Sequence, residues 1–188
     1  MEAFLFSTLV VAIAEVGDKT QLLSLLLIAK FRKPWPIVFG VTLATLINHG
    51  LTAYFGGWIA SFVEGLWFQL LVAVSFFAMA IWVLIPDKEE EVDGRLVKYG
   101  AFLTTLILFS LAEIGDKTQV ATLMLAIQFE SVLWVTLGTT LGMLIANVPV
   151  IFAGGWLLQR LRMEWFHWSA ALLFAAMGAW ILIHLMIG

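Results

Sequence analysis

The sequence predicts an all-α membrane protein, with six transmembrane helices arranged as two inverted three-helix repeats. Three observations predict it: the apolar composition, six long apolar segments, and a heptapeptide that returns at a fixed offset. Of the 188 residues, 62% are hydrophobic and only 12% are charged. A soluble domain is about 45–50% apolar and about 25% charged. So many apolar side chains exceed what one soluble core of this size hides, and lipid is the natural solvent for the surplus. Cys is absent, which excludes disulfides, thiolate metal sites and Cys nucleophiles.

Six apolar segments are long enough to cross about 30 Å of hydrocarbon at about 1.5 Å per residue. They run roughly over 3–29, 36–60, 66–86, 99–127, 131–158 and 166–187. The first segment also has the look of a secretory signal, with Ala12-Ile13-Ala14 as a cleavage site. Its leading residues carry Glu2 and no Lys or Arg, and the stretch recurs as Ala101 to Ala112. A cleaved leader has no reason to be duplicated in mid-chain, so the segment reads as a membrane helix.

The repeat organises the chain. Glu15-Val16-Gly17-Asp18-Lys19-Thr20-Gln21 returns as Glu113-Ile114-Gly115-Asp116-Lys117-Thr118-Gln119, an offset of 113 − 15 = 98. The same offset superposes Gly40 on Gly138, Gly56-Gly57-Trp58 on Gly154-Gly155-Trp156, and Trp82 on Trp180. About 30 of 90 superposed positions are identical, far above chance even for apolar sequence. The chain thus divides into a first repeat (1–86), an acidic linker (87–98) and a second repeat (99–188). Three crossings per copy is an odd number, so the second copy starts on the opposite face of the membrane. That is the inverted repeat of many secondary transporters, with binding near the midplane.

Charge placement orients the chain. Outside the heptapeptides, Lys30, Arg32, Lys33, Lys88, Arg95, Lys98, Arg160 and Arg162 all fall in the loops after the first, third and fifth segments. Those loops share one side, which the positive-inside rule makes cytoplasmic, leaving both termini outside. Trp35, Trp58, Trp67, Trp134, Trp156 and Trp165 lie near segment ends, as interfacial anchors do, although ordinary packing accounts for some of them. The linker contains Asp87, Glu89, Glu90, Glu91 and Asp93, and a solvated connection explains it better than a cation sensor.

Ionisable side chains deep in the segments are few: Glu15, Asp18, Lys19, His49, Glu113, Asp116 and Lys117. A charge at mid-bilayer costs at least about 2.5–3.5 kcal/mol, so the six in the heptapeptides cost on the order of 15–20 kcal/mol uncompensated. On a continuous helix Glu15 and Asp18 share a face, as do Glu113 and Asp116. Inverted symmetry then brings the four carboxylates together, with Thr20, Gln21, Thr118 and Gln119 as further oxygen donors. Such an all-oxygen site suits Mg²⁺, Ca²⁺ or Mn²⁺ and suits Cu⁺ or Zn²⁺ poorly. Gly17 and Gly115 beside the acids are places where a helix bends or opens.

Four carboxylates and two lysines sum to −2, which one divalent cation or two protons would neutralise. Two loads competing for one charge are the physical basis of antiport. The rival account makes Lys19 and Lys117 i,i+4 partners of Glu15 and Glu113 and the whole cluster structural. Its duplication favours function. Asn48, His49 and Asn147 lie mid-segment, where they line a pathway or make helix–helix hydrogen bonds. Thr42, Thr140, Met79 and Met177 read as packing residues, the paired glycines as close-packing points, and Pro149 as a kink.

The doubled E-x-G-D-K-T resembles the E-x-G-D-[KR]-[TS] hallmark of the cation/proton antiporter family of bacterial manganese exporters and Golgi and plastid manganese or calcium transporters. The resemblance covers essentially the whole chain. It implies export of Mn²⁺ from the cytoplasm, with Ca²⁺ handled by some members, through acidic residues at Glu15, Asp18, Glu113 and Asp116. It also implies a compact bacterial member in the inner membrane. The expected partners are the divalent ion as substrate, protons and membrane lipid, with no prosthetic group and no nucleic acid. Three alternatives stand beside Mn²⁺/H⁺ exchange. A Ca²⁺/H⁺ antiporter has the same architecture, and a passive channel has the same pathway. An intramembrane aspartyl protease is suggested by Gly-Asp within a membrane helix. Against the protease, Glu15 and Glu113 occupy the place of its first Gly, and no Tyr-Asp partner is present.

Overall fold

A computed structural model describes residues 1–62, 65–85, 98–154 and 162–187. Among them every regular element is an α-helix. In chain order these are α1 (Glu2–Ala14), α2 (Lys19–Phe31), α3 (Pro34–Ala60) and α4 (Leu66–Trp82), then α5 (Gly100–Glu113), α6 (Lys117–Phe129), α7 (Val132–Ala153) and α8 (Met163–Ile187). Three of them, α3, α7 and α8, are long and apolar enough to cross a membrane.

The first and fourth apolar segments are therefore each two helices. Hydropathy runs unbroken through both, but the backbone does not. Gly17 and Gly115 adopt φ of +86° and +75°, a region that costs a side-chain-bearing residue energy and glycine nothing. Asp18 and Asp116 follow in extended conformation, at φ −79°, ψ 166° and φ −77°, ψ 161°. Each half-helix of 13 or 14 residues is only about 20 Å long. Neither half is long enough to cross about 30 Å of hydrocarbon alone.

The remaining boundaries differ from expectation in smaller ways. The third segment ends as a helix at Trp82 and the fifth at Ala153. Gly154 closes α7 with φ +64°, and among the described residues nothing lies near where its Cβ would stand. Pro149 stands inside α7. Arg32 and Glu130, equivalent at the 98-residue offset, end α2 and α6 in left-handed geometry at φ 53° and 49°. The acidic linker lies outside the described residues except for Lys98, as do Arg160, Gly155 and Trp156.

The halves interlock. α1 packs chiefly on α7, and its equivalent α5 packs on α3. Both crossings use the same device. A Cβ at Gly138 would lie 2.5 Å from the Phe4 carbonyl oxygen, and one at Gly40 would lie 3.0 Å from that of Phe102. Such small residues let membrane helices approach backbone to backbone. α3 pairs with α7, and α4 with α8. The symmetry is incomplete: α8 also packs on α1 and α4 on α6, while among the described residues no comparable contact joins α4 to α5 or α8 to α2.

Phe76, Phe109 and Phe174 fill the interior, whereas Leu5, Phe39, Leu71, Ile81, Leu172 and Ile183 point outward on the helix faces. Water would oppose that much exposed apolar surface and hydrocarbon welcomes it. Trp35, Trp58, Trp67, Trp134 and Trp165 are exposed at helix ends.

Candidate functional site

The two breaks place the acids. Glu15 closes α1 and Asp18 precedes α2; Glu113 ends α5 and Asp116 precedes α6. Glu and Asp of each motif thus approach through a turn, not along a helical face. The Asp18 N–H donates to the Glu15 carbonyl at 3.1 Å, and the Asp116 N–H to that of Glu113 at 3.1 Å. The glutamine of each motif fixes the turn. Gln21 Oε1 accepts the Gly17 N–H at 2.8 Å, and Gln119 Oε1 accepts the Gly115 N–H at 2.7 Å. Each oxygen thus ties the glutamine to the backbone of its own turn and holds the site's shape.

Three carboxylates converge. Glu15, Asp18 and Asp116 each offer an oxygen within 4.8 Å of the others, and all three are buried. Glu113 stands apart from this trio. Its Oε1 accepts a hydrogen bond from the Thr45 hydroxyl at 2.8 Å, and its Oε2 one from the Asn48 amide at 2.9 Å.

The lysines depart from the i,i+4 expectation. The break takes Lys19 off the line of α1, and its Nζ lies 3.4 Å from Asp116 Oδ1 in the opposite repeat. Lys117 Nζ donates to the Ile85 carbonyl just beyond α4. Of the threonines, Thr118 donates to Asp116 Oδ2 at 3.0 Å. Thr20 Oγ1 lies 3.5 Å from the Asn147 amide. Asn147 Oδ1 accepts from Ser24 at 2.9 Å, and in the other repeat Thr122 lies 3.4 Å from His49 Nδ1. These two pairs superpose at the 98-residue offset. Thr45 was not legible as a site residue, because the residue equivalent to it in the second repeat is Met143. The available signal was its position one turn before Asn48, on the same face of α3.

The surroundings of the two breaks differ. A Cβ at Gly17 would lie 2.8 Å from the Met163 sulfur at the start of α8, whereas among the described residues Gly115 has nothing within 4 Å. Val16 is buried and Ile114 is 64% exposed. A cavity of about 830 Å³ opens at one end of the molecule, where Trp58, Ser61, Gln69, Gln128, Glu130 and His184 are among its lining.

Comparison with known proteins shows the family of the chain. The family model described as divalent cation/proton antiporter GDT1 matches residues 3–91 and 101–187. The chain belongs to this family. A protein of Vibrio cholerae serotype O1, whose name proposes manganese export, is 49% identical over 158 residues, which span 82% of this chain and 77% of that protein. No solved structure matches. This member of the GDT1 family is accordingly a membrane cation transporter, and its buried acidic trio lies in the motifs that carry the resemblance.

Proposed function

We propose that the chain exports a divalent cation, Mn²⁺ above all, from the bacterial cytoplasm in exchange for protons. It does so as six crossings of the inner membrane in two inverted three-helix repeats, with both termini outside. The observation that carries this reading is the buried trio of Glu15, Asp18 and Asp116, supplied by both motifs and backed by Lys19. Hard oxygen donors favour Mg²⁺, Ca²⁺ and Mn²⁺, and the name of the Vibrio cholerae relative favours Mn²⁺ among them. The four motif acids and two motif lysines sum to −2, so a divalent ion and two protons are equivalent loads for one site. Metal binding to carboxylates releases protons, and Mn²⁺ affinity should therefore fall as pH is lowered.

Purified protein in liposomes tests the reading. Mn²⁺ added on one side should drive saturable proton movement the opposite way, faster than Mg²⁺ does, and Asp116→Asn should abolish it. Metal flux without proton movement would refute exchange, and a stronger response to Ca²⁺ than to Mn²⁺ would select the calcium alternative.

A further inference from the structure

Glu15 and Glu113 occupy the same place in their motifs, yet their surroundings are opposite. Both are fully buried. Glu113 has a donor on each oxygen, Thr45 and Asn48, both from α3. Among the described residues, neither oxygen of Glu15 makes a hydrogen bond of ordinary geometry. Asn147 is close enough to act on Glu15 as a weak, long-range donor, but its amide makes its hydrogen bonds to the Met143 carbonyl at 3.2 Å and to Thr20 at 3.5 Å, so Glu15 has nothing to match the two short bonds of Glu113.

The difference is written in the sequence. The residues 98 positions beyond Thr45 and Asn48 are Met143 and Ala146, and neither side chain has a donor to give. Both are buried on α7, the helix against which α1 packs. Ala146 contributes only its carbonyl, which accepts from Gln21 Nε2 at 2.8 Å.

A carboxylate buried without donors is costly unless a cation or proton compensates it. Glu15 is also the member of the pair whose oxygen lies within 4.8 Å of those of Asp18 and Asp116. Oxygen ligands sit about 2.0–2.6 Å from divalent ions of this class, so two oxygens on one ion are separated by up to about 5 Å. The trio meets that limit.

We infer that the duplicated glutamates have divided their work: the ion is held off the pseudo-symmetry axis by Glu15, Asp18 and Asp116, while Thr45 and Asn48 keep Glu113 out of its coordination shell. Glu113 then acts as a fixed strut between α3 and the second break, with Thr45 and Asn48 as positioning residues. Met143 and Ala146 give Glu15 no such donors, and so leave it available to a cation.

This inference rests on the transport reading above, and one set of measurements separates the two. Equilibrium Mn²⁺ binding is measured on the detergent-purified full chain by calorimetry, beside thermal melting of the metal-free protein. Glu15→Gln should weaken binding about 100-fold or more. Glu113→Gln, whose amide still accepts from Asn48 and donates to Thr45, should weaken it at least tenfold less. The double variant Met143→Thr with Ala146→Asn gives Glu15 the donors that Glu113 has. It should weaken Mn²⁺ binding about tenfold while raising the melting temperature of the metal-free protein, a combination that structural damage does not produce. Equal losses from the two Gln variants, or unchanged affinity in the double variant, would overturn the division of labour and leave the transport reading standing. Failure of the unaltered protein to bind Mn²⁺ would overturn both.

Discussion

Gln21 and Gln119 secure the two turns of the site, and their environments are unequal. Gln21 is 2% exposed and also donates to the Ala146 carbonyl, whereas Gln119 is half-buried and its partner Gly115 is open to the outside. A buried donor left unsatisfied costs about 1–3 kcal/mol. Gln21→Ala should therefore lower stability by about 2 kcal/mol and Gln119→Ala by about 1 kcal/mol or less, read as melting temperatures of the purified protein in detergent. Equal effects would mean that the glutamines do not secure the breaks as described. The acids were legible in the sequence because buried charge is expensive and this charge appears twice. Their partners were not. The rival account puts Lys19 beside Glu15 because i,i+4 spacing presupposes a continuous helix, and Gly17 interrupts it. The pairing with Asp116 depends on where the second repeat lies, which spacing within one motif does not encode.

At the scale of helices, the contacts between α1 and α7 and between α5 and α3 hold the breaks in place. Gly138 and Gly40 sit at those crossings with a backbone carbonyl opposite each. A carbonyl cannot rotate away as a side-chain end can, so a methyl group at either position pushes two helices apart. Overpacking of this kind costs about 1–3 kcal/mol. Gly138→Ala, with the 2.5 Å approach, should destabilise more than Gly40→Ala, with 3.0 Å to the carbonyl and Thr105 atoms closer still. Thermal melting ranks them, and tolerance of both substitutions would show that the crossings are looser than the distances state. The sequence revealed these glycines through the repeat, since Gly40 and Gly138 superpose. Gly17 and Gly115 marked where the segments bend, but hydropathy hid that each becomes two helices, because Ala14, Val16, Ala112 and Ile114 keep it high right up to each break. Hydropathy measures how a segment dissolves in lipid, whereas the break follows from two glycines whose positive φ no window average detects.

Across the whole molecule the two repeats share a plan but not a conformation. At the first break α8 covers Gly17 through Met163, and at the second Lys117 is tied to the Ile85 carbonyl. The residues equivalent to Met163 and Ile85 are Gly65 and Ile183, at the other ends of α4 and α8. Gly65 leaves Gly115 uncovered and lines the cavity instead. In the proposed orientation, Ile85 and Met163 lie toward the cytoplasm, and the cavity wall of Ser61, Gln69, Gln128 and Glu130 lies toward the outside. The cavity then opens on the outer face while Met163 covers Gly17 from the cytoplasmic side, and exchange of the two repeats' conformations would generate the opposite arrangement. The chain contains no Cys, so any introduced thiol reports alone. A membrane-impermeant thiol reagent added to intact cells should label Gln69→Cys and Gln128→Cys in the cavity but spare Lys33→Cys, which labels only after the cells are opened. Labelling of Lys33→Cys from outside would invert the orientation. Protection of both cavity positions, with Lys33→Cys still inaccessible, would mean that the resting protein is closed outward. Dependence of Gln69→Cys labelling on Mn²⁺ would tie the cavity to the transport cycle, since a ligand that shifts this equilibrium must bind the two states unequally.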